Sequence, residues 1–193
     1  MTGSFTIPNI LTVLRIILAP IFVVTAALQH WEAAFFLFCI AAFTDMVDGS
    51  IARIFNQKSE LGSFLDPMAD KLLMVSTFIT LSFAHLIPVW LTLIVFSRDL
   101  MIVIGLVIFK VKKIVLFYQP TILSKATTLG QILTLSFALA PKGFAYFNLE
   151  AAAPFFLAGL PYLIGITAFL TLGSGLQYYR IGLRILKRGH CAY

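Results

Sequence analysis

Apolar residues run along this chain in blocks separated by short polar connections. Each block is near the ~20 residues that a helix needs to cross ~30 Å of hydrocarbon. The pattern predicts six helices. Pro8 and Asn9 mark the start of the first, whose apolar stretch runs from Ile10 to Leu28 and is interrupted by Arg15 about two turns in. Gln29-His30-Trp31-Glu32 is a polar connection with an interfacial Trp, and the second block covers Ala33 to Phe55. Gln57-Lys58-Ser59-Glu60 forms a turn, and the third block runs from Gly62 to Ala84. Leu86-Ile87-Pro88 breaks the chain before a fourth block that ends near Phe109. The fifth covers Thr121 to Ala140, and the sixth runs from Pro154 to Tyr179 and ends in Arg180, Arg184, Lys187 and Arg188. The expected fold is all-α, an integral membrane bundle forming a single domain over residues 1–193.

Composition supports the same class. The chain is 60% hydrophobic and 11% charged, whereas a soluble domain carries roughly 25% charged residues. The net charge of +6 comes from lysines and arginines lying between apolar blocks, so it reads as a topology signal and not as a nucleic-acid footprint. Anionic lipid head groups in the bilayer are the natural partner for that charge. The turns near residues 30, 86 and 145 contain only Lys142 among them, which places both termini and the 57–60 turn on the cytoplasmic or matrix side. Cys39 and Cys191 carry no motif, and Cys191-Ala192-Tyr193 is one residue short of a prenylation box. No basic region precedes the first apolar run, so a cleaved signal peptide is not expected, and the absence of a long leader favours a bacterial inner membrane.

Four carboxylates break the second and third blocks: Asp45, Asp48, Asp66 and Asp70. An ionisable group at membrane depth costs a few kcal/mol or more and asks for a functional reason. On a helix, Asp45 and Asp48 share a face, as do Asp66 and Asp70. Gly49 and Ala52 lie on nearly the same face as Asp45, and Gly62 continues the line of Asp66 and Asp70. Helices whose facing surfaces carry only small residues and carboxylates can approach closely and leave a polar pocket for hard divalent cations. A proton relay, or neutralisation of Arg53, Lys71 and Arg98, accounts for one or two acids. It does not require Gly49 or Gly62, whereas a bulky phosphate ligand held against backbone does. An intramembrane cation or proton-coupled transporter is the competing class.

The spacing Asp-x2-Asp-Gly-x2-Ala-Arg-x8-Gly-x3-Asp-x3-Asp, met at every position from Asp45 to Asp70, resembles the signature of the CDP-alcohol phosphatidyltransferases. The resemblance implies a six-helix membrane enzyme that uses two magnesium or manganese ions, transfers a phosphatidyl group from CDP-diacylglycerol to an alcohol and releases CMP. It implies that Asp45, Asp48 and Asp66 are metal ligands, with Asp70 a ligand or the base for the acceptor hydroxyl. Gly49, Ala52, Arg53 and Gly62 would line the CDP-diacylglycerol site. It also suggests homodimers.

Two branches compete for the acceptor. Ile7-Pro8-Asn9-Ile10-Leu11-Thr12 with Leu14-Arg15 resembles both phosphatidylglycerol phosphate synthases and CMP-forming cardiolipin synthases. Leu86-Ile87-Pro88-Val89, Ser97-Arg98-Asp99, the stretch from Thr121 to Gln131 and Tyr178-Tyr179 resemble the cardiolipin branch. Phosphatidylglycerol phosphate synthases usually have a second Arg where this chain has Leu106, and often Lys-x-Lys-Thr where it has Lys125-Ala126-Thr127-Thr128. Glycerol 3-phosphate carries close to two negative charges and phosphatidylglycerol one, so fewer cations suit the anionic phospholipid acceptor. Arg15, Arg98 and Lys125 are the expected acceptor-binding cations. Arg98 lies near mid-span, where it needs an anion. That anion is expected to be a motif carboxylate or a lipid phosphate, with Asp99 pointing to a different helix face.

Overall fold

The computed structural model describes the backbone of residues 7–55, 60–111, 121–145 and 150–187, and side chains within 13–44, 71–105, 121–145 and 151–185, together with residue 108. The described residues form six α-helices and one short 3-10 turn: α1 (Ile7–Ala27), α2 (Trp31–Phe55), α3 (Glu60–Phe83), α4 (Val89–Val111), α5 (Ile122–Ala145) and α6 (Ala153–Lys187), with the turn at Glu150–Ala152. No strand occurs among them. Pro8 falls in the first turn of α1, where its missing N–H breaks no helical bond. Two of the expected turns share one design. Gln29 ends α1 with φ 63°, and His85 ends α3 with φ 57°. In each case the next residue donates its N–H five residues back, His30 to Thr25 O at 2.9 Å and Leu86 to Leu81 O at 2.9 Å. Both are Schellman caps with a side chain at the left-handed position that glycine usually fills.

The helices pack as a ring. Each contacts the next in the order α1, α2, α5, α6, α4, α3 and back to α1, and α3 also reaches α5 across the bundle. One consequence concerns the carboxylate-bearing helices. Among the described residues, α2 and α3 each pack against α1, which therefore seats both. The expected close approach of the Asp45–Asp70 faces lies outside the described side chains.

The distribution of polarity among the described residues is consistent with a membrane protein. Phe83, Ile122, Tyr162 and Phe169 are among the large side chains left exposed, while Arg15, Thr77, Arg98, Gln131, Thr134 and Ser174 are buried. Among the described residues, two helices are long and apolar enough to cross a membrane, Ile122–Ala145 and Ala153–Ile185. Lipid tails offer no hydrophobic drive for helix association, so small residues and hydroxyls take that role. The α5–α6 seam follows this rule. Thr134 and Thr167 share a 2.8 Å hydroxyl hydrogen bond, and a Cβ at Gly130 would stand 3.0 Å from Thr167 Oγ1.

At the other end of α5 the fit is tighter. A Cβ added at Gly143 would overlap the ring of Phe35, which is 5.8 Å from the ring of Phe144. Gly143→Ala is therefore expected to lower stability by about 1–3 kcal/mol, the usual cost of overpacking. Thermal unfolding in detergent measures it, and an unchanged midpoint would show that the α2–α5 contact repacks freely.

Candidate functional site

The backbone carries the four aspartates on two helices: Asp45 and Asp48 lie one turn apart on α2, and Asp66 and Asp70 one turn apart on α3. Gly49, Ala52 and Arg53 follow on α2, and Gly62 opens α3. The side chains of all eight fall outside the described set. Among the described residues no three His, Cys, Asp or Glu side chains come together. As a donor set, four carboxylates at one-turn spacing fit hard divalent cations, which take oxygen ligands.

The described side chains next to the motif begin at the residue after Asp70. Lys71 of α3 lies 3.1 Å from Asp99 Oδ2 on α4. The other carboxylate oxygen, Oδ1, accepts from Arg98 Nη1 at 2.7 Å. Arg98 Nη2 donates to Ser124 Oγ on α5 at 2.7 Å and to Ser174 Oγ on α6 at 3.0 Å. Its guanidinium carbon sits 5.6 Å from the ring centroid of Tyr178, within cation–π range. One arginine thus ties α4, α5 and α6 together, and the Asp99–Lys71 pair carries the connection to the helix of Asp66 and Asp70.

This arrangement corrects the expectation for Asp99. Successive helical residues diverge by about 100° around the axis, which suggested separate faces. The long Arg98 side chain spans that divergence and meets the carboxylate directly. Among the described residues, the carboxylate paired with Arg98 is its neighbour, held from the other side by Lys71.

The three expected acceptor cations differ in setting. Arg15 is buried, at 1% exposure, on the helix that packs against both α2 and α3. Arg98 is buried at 8% exposure. Lys125 is exposed on the first turn of α5. Arg98 bonds Ser124, the residue that directly precedes Lys125, and no described contact joins Arg98 to Lys125 itself. No described contact joins Arg15 to that pair. Thr127, where a second lysine stands in many phosphatidylglycerol phosphate synthases, is fully buried. Its hydroxyl donates to Leu123 O at 2.8 Å and Leu170 O at 3.1 Å, so this position faces α6. The side chain of Leu106 lies outside the described set.

Ser174, Lys71 and Asp99 join the Arg98 cluster but were not singled out from the sequence as ligands or supports. Ser174 had a readable signal, since Gly173-Ser174-Gly175 is a small polar break inside the last apolar block.

Comparison with known proteins gives this geometry its class. Residues 5–171 match the family described as CDP-alcohol phosphatidyltransferase, and the chain belongs to that family. It is 34% identical to the rat (Rattus norvegicus) cardiolipin synthase (CMP-forming) over 96% of this chain and 64% of that protein. It is 37% identical to a probable cardiolipin synthase (CMP-forming) of Drosophila melanogaster over 90% of this chain and 56% of that protein. A CDP-diacylglycerol--glycerol-3-phosphate 3-phosphatidyltransferase of Bacillus subtilis is 32% identical over 95% of this chain and 98% of its own length. The chain thus spans less than two thirds of the length of the animal relatives.

Proposed function

We propose that this chain is an integral membrane enzyme, one domain over residues 1–193 crossing the bilayer six times, that transfers a phosphatidyl group from CDP-diacylglycerol to phosphatidylglycerol, giving cardiolipin and CMP. The observation that carries the reading is the complete carboxylate spacing on α2 and α3, in a chain of this family. Asp45, Asp48, Asp66 and Asp70 are assigned to two magnesium or manganese ions, which when bound would draw charge off the pyrophosphate and so favour the departure of CMP. Gly49, Ala52, Arg53 and Gly62 are assigned to the CDP-diacylglycerol site.

The acceptor hydroxyl oxygen attacks the phosphorus that bears the diacylglycerol, and the P–O bond to CMP breaks. Asp70 takes the hydroxyl proton on its carboxylate. Arg15, Arg98 and Lys125 hold the acceptor phosphate, and Ser124, Ser174 and Asp99 fix the Arg98 fork. Basic residues concentrated at one side favour a site open to the cytoplasm or matrix.

The lipid acceptor is favoured over glycerol 3-phosphate by the setting of Thr127. This position holds a buried hydroxyl bonded to two carbonyls and so supplies no second cationic clamp. The bacterial relative named for glycerol 3-phosphate keeps the alternative in view. Parallel assays with the two acceptors, resolved by lipid product, decide between them. Cardiolipin from phosphatidylglycerol alone supports the proposal, and phosphatidylglycerol phosphate from glycerol 3-phosphate alone overturns the acceptor assignment while leaving the family chemistry intact. Within the proposed reaction, Lys125→Ala is expected to raise the acceptor KM on the order of tenfold, for one lost charge-assisted contact. An unchanged KM would remove Lys125 from the acceptor site.

A further inference from the structure

A groove of about 340 Å³ runs down the outside of the bundle between α4 and α6. Ser97 and Met101 form part of one wall, and Leu176 and Tyr179 part of the other. Gly175 and Arg98 lie between them. Leu176 and Tyr179 are about half exposed, whereas Arg98 is buried, so the groove deepens from an apolar rim toward the arginine. At Gly175 the α6 backbone comes against the Arg98 stem: a Cβ there would sit 3.6 Å from Arg98 Cγ. Any longer side chain at 175 would occupy the groove.

Among the described residues, two cations meet one carboxylate near the deep end. Arg98, which lines the groove, shares the carboxylate of Asp99 with Lys71 of α3, whose side chain lies outside the groove and is 43% exposed. Arg98 Nε is buried with no hydrogen-bond partner among the described residues. A buried donor without a partner is costly. A second groove of about 170 Å³ between α3 and α4, lined by Val75, Phe78, Thr92 and Phe96 among others, has no such cation. Apolar walls leading sideways to a buried guanidinium with an unpartnered Nε, and with a carboxylate shared by a second cation, match one class of ligand: a phospholipid with a single negative phosphodiester and an acyl chain to lay along the wall.

We propose that the α4–α6 groove is a lateral lipid port, taking one acyl chain of an anionic phospholipid whose phosphodiester faces Arg98. The proposal rests on the acceptor reading above and deepens it, since it gives phosphatidylglycerol a route from the bilayer to the site that a water-soluble acceptor does not need. Arg98, which lines the port, donates to Ser124 on α5 and Ser174 on α6, so a lipid entering there meets the Arg98 fork.

The test uses phosphatidylglycerol carrying a photoreactive diazirine in one acyl chain, with the full-length protein in phosphatidylcholine vesicles and with peptide mapping of the adducts. A phosphatidylcholine probe with the same chain reports the ordinary lipid annulus. The expected result is that the anionic probe concentrates on residues 94–101 and 171–179, that unlabelled phosphatidylglycerol displaces it, and that glycerol 3-phosphate does not. In turnover assays Gly175→Leu and Ser97→Phe should raise the phosphatidylglycerol KM about tenfold, the scale of a steric mismatch in an apolar pocket, with kcat and the CDP-diacylglycerol KM held. Ile166→Phe, elsewhere on the exposed surface of α6, should leave all of these unchanged. Equal labelling by the two probes overturns the port, even if the variants fail to fold. Selective labelling without cardiolipin synthesis sustains the port as an anionic-lipid site and overturns the acceptor reading.

Discussion

Asp66→Asn is expected to give a protein that inserts and unfolds like the parent but releases CMP from CDP-diacylglycerol on the order of a thousandfold more slowly. The change is nearly isosteric and replaces a carboxylate oxygen by an amide, removing one negative charge from the proposed cation site. Divalent cations supply several kcal/mol of charge stabilisation in phosphoryl displacement, and each 1.36 kcal/mol is tenfold in rate, so losing a ligand costs roughly three powers of ten. Asp66 is placed on α3 one turn from Asp70, and α3 is seated on α1 by packing that does not involve the carboxylate itself, such as the burial of Leu73, Phe78 and Leu81. Folding should therefore survive. The paired measurement is CMP release against thermal unfolding in detergent. A variant with parental turnover would remove Asp66 from the site.

Arg98→Leu is expected to do two kinds of damage at once. Removing one partner of a buried ion pair leaves the other charge uncompensated, at about 3–5 kcal/mol. Here the loss would strand part of Asp99 and release the hydroxyls of Ser124 and Ser174, so the midpoint should fall. The acceptor should also be held more weakly, and Arg98→Lys separates the two effects. Lysine keeps the charge but cannot make the forked contacts to Asp99, Ser124 and Ser174 together. It should recover part of the stability and little of the acceptor affinity. Parental KM and midpoint in both variants would show the cluster to be idle.

The helices were legible in the sequence because each is a run of apolar residues. Their ends were less so: α5 continues through Pro141 to Ala145, past the expected end at Ala140, and α6 runs past Tyr179 to Lys187. His30 and His85 sit in turns expected from the pattern, and the structure adds why the chain reverses there: left-handed Gln29 and His85 close Schellman caps. The ring order of the helices was not legible, since periodicity says which blocks are helical and not which neighbours they choose. The motif positions were legible one by one, because a carboxylate inside an apolar block is costly unless it binds something, and a glycine there is costly unless something packs against it. The Arg98 cluster was only half legible. Its depth announced that an anion was needed, but the choice of Asp99 depends on how far an arginine bends around its own helix, and the choice of Ser124 and Ser174 depends on tertiary packing. Lys125 was legible as a cation but not as an exposed one, because its burial depends on how the start of α5 sits in the bundle.

The carboxylate motif is assigned here to phosphatidyl transfer and not to the passage of an ion. Release of CMP by the purified protein in detergent, supplied with CDP-diacylglycerol, magnesium and phosphatidylglycerol, decides between the two. CMP should form in step with cardiolipin and be lost when either lipid is left out. Absence of CMP from a well-folded preparation that carries cations across proteoliposome membranes would contradict the assignment.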